Sequence, residues 1–265
     1  MEVIDLAWWK LGLAALLVLA LAATAYLGRL GITRSLLVAA IRTVIQLALI
    51  GLVLEALFAS SAFYWIALLA AVMLLVAGRE VVARQSRRLK GGWAFGIGTG
   101  ATFVSSFTVT VLALAVVIGP EPWYTPQYAI PLLGMMLGNT MTGVSLALDR
   151  LNDSVWRQRA VIENRLMLGQ TWQQALEDIR REAMRSGMMP SINAMAAAGI
   201  VSLPGMMTGQ ILAGSPPAVA VKYQILVMLF ITVGTGFGAV MAVSWGGRRL
   251  FDDRERLRLD RLTKP

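Results

Sequence analysis

Two stretches of the chain repeat one arrangement, Gly-Met-Met-x-Gly-amide-x-x-x-Gly: GMMLGNTMTG at 134–143 and GMMTGQILAG at 205–214. The groups they offer are the thioethers of Met135, Met136, Met206 and Met207 and the amides of Asn139 and Gln210. None of these ionises, so the chemistry open to them is hydrogen bonding or weak ligation rather than proton transfer or nucleophilic attack. Gly134, Gly138 and Gly143, with Gly205, Gly209 and Gly214, have the spacing that lets two membrane helices approach closely. Two readings follow: the glycines and amides pack helices together, or the two segments line a path for a solute. The chain has no histidine and no cysteine, which removes disulfides, thiol chemistry, imidazole catalysis and the commonest transition-metal ligands. No metal site can be assigned, and any metal handled here must be met by oxygen, amide or thioether.

The elements that carry these residues follow from composition. The 265 residues are 57% hydrophobic and 15% charged, with a mean hydropathy of +0.66, which is the composition of an integral membrane protein. Seven apolar runs have about the length an α-helix needs to cross a bilayer: 8–27, 36–58, 61–78, 93–118, 128–148, 191–213 and 219–244. They are continuous rather than alternating, which excludes a β-barrel. Glu2 and Asp5 stand where a signal peptide carries positive charge, so the first run is a membrane helix. The expectation is an all-α polytopic protein of a single membrane domain, 1–265.

The charges orient it. Twenty-one of the 24 Lys and Arg residues fall in segments 28–35, 79–92, 149–190 and 245–265, and the intervening loops hold none. The positive-inside rule makes those segments cytoplasmic, the amino terminus external and the carboxyl terminus internal. The basic runs, including the tail 245–265, read as topology signals and lipid-headgroup contacts, not as a nucleic-acid surface.

One cytoplasmic segment is large, 149–190, and reads as a helical hairpin between the fifth and sixth spans. Its first helix continues the fifth span to Gly169, a left-handed terminator. Its second begins at a capping box, Thr171 with Gln174, and ends at Gly187 and Pro190. Trp172, Leu176, Ile179 and Ala183 make an apolar stripe with Glu177, Asp178, Arg181, Glu182 and Arg185 around it. That pattern suits docking on a soluble partner best, ahead of packing on a neighbouring helix or lying on the bilayer. Pro204, in front of the second glycine-methionine segment, is expected to kink or interrupt the sixth span. Met135/Met136 and Met206/Met207 then sit at one depth, with Asn139 near the midplane and Gln210 nearer the outer surface. Arg42, Gln46 and Glu55 on the second span read as structural.

With these residues in view, the chain resembles the permease subunit of FetB-type ABC transporters. The similarity rests on GMMLGNTMTGVSLALDRL, ALEDIRREAMRSGMMPSINAMAAAGIVSLPGMMTGQILAG and AVKYQILVMLFITVGTG, and with the seven-span layout it covers nearly the whole chain. The resemblance implies a homodimer of permeases in the bacterial inner membrane, working with two copies of a separate ATPase subunit that carries ATP and Mg. Bacterial members are linked to iron export, and plant relatives to aluminium tolerance and nucleotide-sugar movement. A metal ion and an organic solute such as a nucleotide sugar both stand as cargo. The absence of a phosphate loop agrees with divided labour, since this chain alone cannot hydrolyse ATP. The capped helix 172–186 is the expected handle for the ATPase, with Glu177, Asp178, Arg181, Glu182, Arg185 and Gly187 as coupling residues. Two further readings are a membrane enzyme acting on lipids, which lacks converging acid/base groups, and a non-transporting scaffold or channel.

Overall fold

A computed structural model describes residues 7–60 and 62–263; Glu2 and Asp5, invoked above for the first span, lie outside them. The described chain is helical, with no β-strand among these residues. The helices are α1 (Trp8–Leu27), α2 (Thr33–Ser60), α3 (Phe63–Ala83), α4 (Trp93–Leu112), α5 (Pro126–Arg157), α6 (Arg159–Met167), α7 (Trp172–Ala175), α8 (Glu177–Ala197), α9 (Gly205–Leu212) and α10 (Pro217–Arg249). A π-helical turn, Ala113–Ile118, extends α4.

Six helices, α1 to α5 and α10, are long and apolar enough to cross a membrane. The expected sixth span, 191–213, is not one helix. α8 runs through Gly187 and Pro190 to Ala197, the chain then breaks over 198–204, and α9 follows. One correction stands here, that the helix does not end at Gly187 or Pro190, and the interruption expected at Pro204 is present. The correction has a packing cause. A Cβ on Gly187 would lie 2.7 Å from the Gly143 carbonyl oxygen and 2.9 Å from the Ala147 Cβ. The missing side chain is therefore what lets α8 lie on α5, and the burial gained there overrides glycine's poor helix propensity. The interruption follows from Gly199 at φ +80° and Pro204, which has no N–H to give and restrains the residue before it. Near the break, the Ala197 carbonyl accepts from Val201 and Ser202.

Contacts along the rods give their relative directions. Met136 lies at Gly234 and Leu148 at Gly246, so α5 and α10 run parallel. Glu182 meets Arg150 and Gly187 meets Gly143, so α8 runs back against both. α8 and α9 together return the chain along the bundle. The central packing joins α4, α5, α8 and α10, with Gly143, Gly187, Gly234 and Gly238 at the close approaches. The Ser105 hydroxyl donates to the Gly234 carbonyl there. Gly234 and Gly238 are enclosed within this chain. α1 and α2 lie at the margin with mostly exposed apolar side chains, and Arg42 of α2 is not isolated: its Nη2 sits 2.9 Å from Glu80 Oε1 of α3.

At the basic end α5 is interrupted at Gln158, and α6 ends before Gly169 at φ +84°. The capping box forms, with the Thr171 N–H donating to Gln174 Oε1 at 2.9 Å. The apolar stripe of Trp172, Leu176, Ile179 and Ala183 is buried in the main core, where Trp172 stacks near Phe251 and touches Gly247 of α10. The stripe is thus spent inside the chain rather than offered to a partner. The polar face of α8 remains outside, together with Met189 and Ile192 further along the helix.

Candidate functional site

Where α8 stops, a cavity of about 220 Å³ opens between α5, α8, α9 and α10. Met195, close to the α8 terminus, receives the Thr232 hydroxyl on its sulfur at 3.2 Å. Thr232 stands about midway along α10, so the break and its cavity lie at about mid-height of the bundle. Met135 and Asn139 reach the cavity from α5, Ser191 from α8, and Met206 from α9; Gln224 and Met228 reach it from α10. The lining is neutral: thioethers, two amides and hydroxyls. Asn139 Nδ2 donates to the Met135 carbonyl at 2.8 Å, and the buried Gln224 offers its Oε1 to the Met207 N–H at 3.3 Å, holding the start of α9.

Of the six residues proposed for a path, Met135, Asn139 and Met206 meet at this cavity. Met136 is fully buried and points instead at Gly234. Met207 is buried too, and the Gln210 side-chain oxygen is enclosed without a partner outside the cavity. The glycines divide likewise. Gly143 is pressed against Gly187 and Thr235, and Gly134 lies near Met73. Gly138, Gly205 and Gly209 face open space, and Gly214 makes the left-handed turn after α9 at φ +94°. Sequence reading missed Ser191, Gln224, Met228 and Thr232. The one signal available was Gln224, an amide inside an apolar run that needs a partner just as Asn139 does.

The polar face of α8 is laced to its neighbours. Arg181 pairs with Glu177 at 2.6 Å, Arg165 of α6 with Asp178 at 2.7 Å, and Arg150 of α5 with Glu182. The Arg165 guanidinium holds the Asp178 carboxyl below the usual carboxylate range. Arg185 borders a groove with Leu146, Met189 and Asn193. Gly187 is enclosed between α5 and α10 and is no part of this outer face. Surface pairs of this kind contribute about 1 kcal/mol or less each, so their arrangement matters more as a recognition pattern than as a source of stability. One rod of 21 residues carries both the charged face and Ser191 at the cavity.

Among the described residues no three His, Cys, Asp or Glu side chains gather as a metal site. The profile of the uncharacterised protein family UPF0014 matches residues 8–251. The chain belongs to this family. It is 38% identical over 257 residues to the UPF0014 membrane protein slr1647 of Synechocystis, covering 96% of this chain and 97% of that one. It is 36% identical over 198 residues to the UPF0014 membrane protein YjkA of Bacillus subtilis, covering 75% and 77%. It is 30% identical over 260 residues to the probable iron export permease protein FetB of Escherichia coli, covering 96% of each. No solved structure matches. With its six long apolar helices this UPF0014 chain is a multi-pass membrane protein, and no enzymatic family is indicated.

Proposed function

We propose that this UPF0014 protein is the permease subunit of an ABC exporter for iron or another metal ion, driven by a separate ATPase. The observation that carries the reading is the continuity of α8: an exposed charged face from Glu177 to Arg185 and a cavity residue, Ser191, share one helix of about 30 Å. A force applied at the basic end therefore reaches the broken span along one helix, across Gly187 and Pro190. The basic end is read as cytoplasmic from its arginines. There the ATPase subunit, carrying ATP and Mg, grips Glu177, Asp178, Arg181, Glu182 and Arg185. Closure of the ATPase pair moves α8 against α5 and α10 and opens the cavity alternately to the two sides.

The neutral donor set supports a conduit rather than a store. Thioethers and amides ligate a cation weakly, and cargo must leave again. A broken helix at mid-depth is where transporters place such sites. The break itself supports a dimer. Ile200 and Val201 are 88% and 83% exposed, and non-helical backbone at membrane depth is tolerated only beside protein or a water-filled cavity. A second copy of the chain supplies that cover. FetB of Escherichia coli, similar over nearly its whole length, is named a probable iron export permease protein.

The test is reconstitution with the ABC ATPase encoded beside it, followed by ATP hydrolysis in the presence of iron, other metals and nucleotide sugars. Metal-stimulated hydrolysis is expected. Stimulation by nucleotide sugars alone would replace the cargo, and failure of any ATPase to bind would remove the permease reading.

A further inference from the structure

At the basic end, on the side away from α8, a hollow of about 570 Å³ lies between the start of α4, the end of α10 and the tail that follows it. We infer that it holds the phosphodiester of an anionic phospholipid headgroup. This inference is independent of cargo and of ATP coupling. Trp93 opens α4 and Trp245 lies one turn before the end of α10, both partly exposed where the apolar spans finish. Indole rings at that level mark the headgroup layer. The Arg249 guanidinium lies 4.1 Å from the centre of the Trp93 ring. Arg261 reaches in from the tail and donates to the carbonyls of Arg249 and Phe251 at 2.7 and 3.1 Å, which pins its guanidinium at the wall.

Asp252 and Asp253 line the same hollow, and each is paired with another arginine. Asp252 accepts Arg256 Nε at 2.8 Å and the backbone N–H groups of Arg254 and Arg256, while Asp253 sits 3.3 Å from Arg248. Among the described residues neither Arg249 nor Arg261 has a carboxylate within ion-pair distance. Two guanidinium groups that lack a counter-ion, fixed by an aromatic face and by backbone carbonyls, form an anion site built for a planar bidentate partner such as a phosphodiester. Gly92 and Gly96 on α4 have nothing within 4 Å of where a Cβ would stand. They leave bare helix surface next to Ile97 along which an acyl chain can run from the headgroup into the bilayer. Basic pockets between membrane helices on the cytoplasmic side hold acidic lipids in this way.

The purified full-length protein is titrated with phosphatidylglycerol, phosphatidylcholine and inorganic phosphate, and bound adducts are counted by native mass spectrometry. Tighter binding of phosphatidylglycerol than of phosphatidylcholine is expected. Arg249→Gln should weaken it about tenfold, the loss of one charge-assisted bond. Arg248→Gln, whose parent side chain is already tied to Asp253, should weaken it much less. Unchanged thermal unfolding in phosphatidylcholine nanodiscs shows that a variant is folded; if Arg249→Gln is not, Arg249→Lys carries the same comparison, since it keeps the charge but loses the fork. Equal loss in the Arg248 and Arg249 variants, equal binding of the two lipids, or displacement of phosphatidylglycerol by inorganic phosphate at matched concentration would each overturn the site.

Discussion

Replacing Gly187 by Ala separates two accounts of that residue by sign. As a helix terminator or an idle glycine, it would be improved by alanine, which gains about 0.5–1 kcal/mol inside a helix. As the point where α8 crosses α5, it would be harmed. The new Cβ would stand 2.7 Å from the Gly143 carbonyl oxygen and 2.9 Å from the Ala147 Cβ. The second gap is at least about 0.6 Å short of an ordinary carbon contact. Both obstacles are backbone or the first atom of a side chain, so neither can rotate away and the helices must part. Overpacking of this kind costs about 1–3 kcal/mol, so at mid-range it outweighs the propensity gain by about 1 kcal/mol, and by at most about 2.5 kcal/mol. The assay is reversible unfolding in mixed detergent and SDS, with Gly51→Ala as control, since nothing lies within 4 Å of its Cβ position in the middle of α2. The control should gain about 0.5–1 kcal/mol, as alanine does in an unobstructed helix. Gly143→Ala should also destabilise, and the double variant should cost less than the two single losses together because the same helix pair is already separated. Wild-type or greater stability for Gly187→Ala would refute the crossing.

Three further outcomes are expected. Asn139→Ala and Met135→Ala should lower transport at least tenfold while folded protein in the membrane stays at parent levels; parallel loss of both would assign the pair to packing. Exchanging the charges of one ion pair, Arg150→Glu with Glu182→Arg, restores the pair itself but presents the wrong charges to an ATPase, so metal-stimulated hydrolysis should stay uncoupled from transport; full coupling in the exchanged protein would limit Glu182 to an internal role. Asp252, held at about 2 by the Arg256 N–H and side chain and the Arg254 N–H, has a folded pKa below its ordinary value of 3.8. Its stabilisation of the turn is complete above the ordinary value and fades as pH falls from 3.8 toward 2. Proteolysis of the tail should therefore rise over that interval and become independent of pH in Asp252→Asn.

Much of the architecture was legible because a bilayer imposes one length and one polarity on every helix that crosses it. The spans at 8–27 and 93–118 are found where hydropathy puts them, the second as α4 plus its π-helical turn. The helices otherwise overrun their apolar runs, α5 to Arg157 and α10 to Arg249, since hydropathy marks the hydrocarbon and not the helix end. Local chemistry at Thr171, Gln174 and Gly169 was equally readable, because caps and terminators depend on a few adjacent residues. Gly187 and Pro190 were misread for the same reason: in one dimension they look like stops, and only the fit of α8 against Gly143 and Ala147 makes them passable. The apolar stripe from Trp172 to Ala183 announced burial but not against what. Its cover, Gly247 and Phe251, comes from the far end of the chain.

Composition and periodicity alone determined that this chain is a bundle of membrane helices without histidine or cysteine, with its basic loops on one side and amides where lipid should be. Those properties depend on residue types and on the chain's nearest neighbours. The tertiary structure decided which thioethers and amides meet, turning Met135 and Met206 to one cavity and Met136 to the core, and adding Gln224 and Met228. It also decided that the charged face and the cavity share one helix, and that the tail returns Arg261 to the side of Arg249. The reason is geometric: a face of a helix faces something only once another helix has been laid against it.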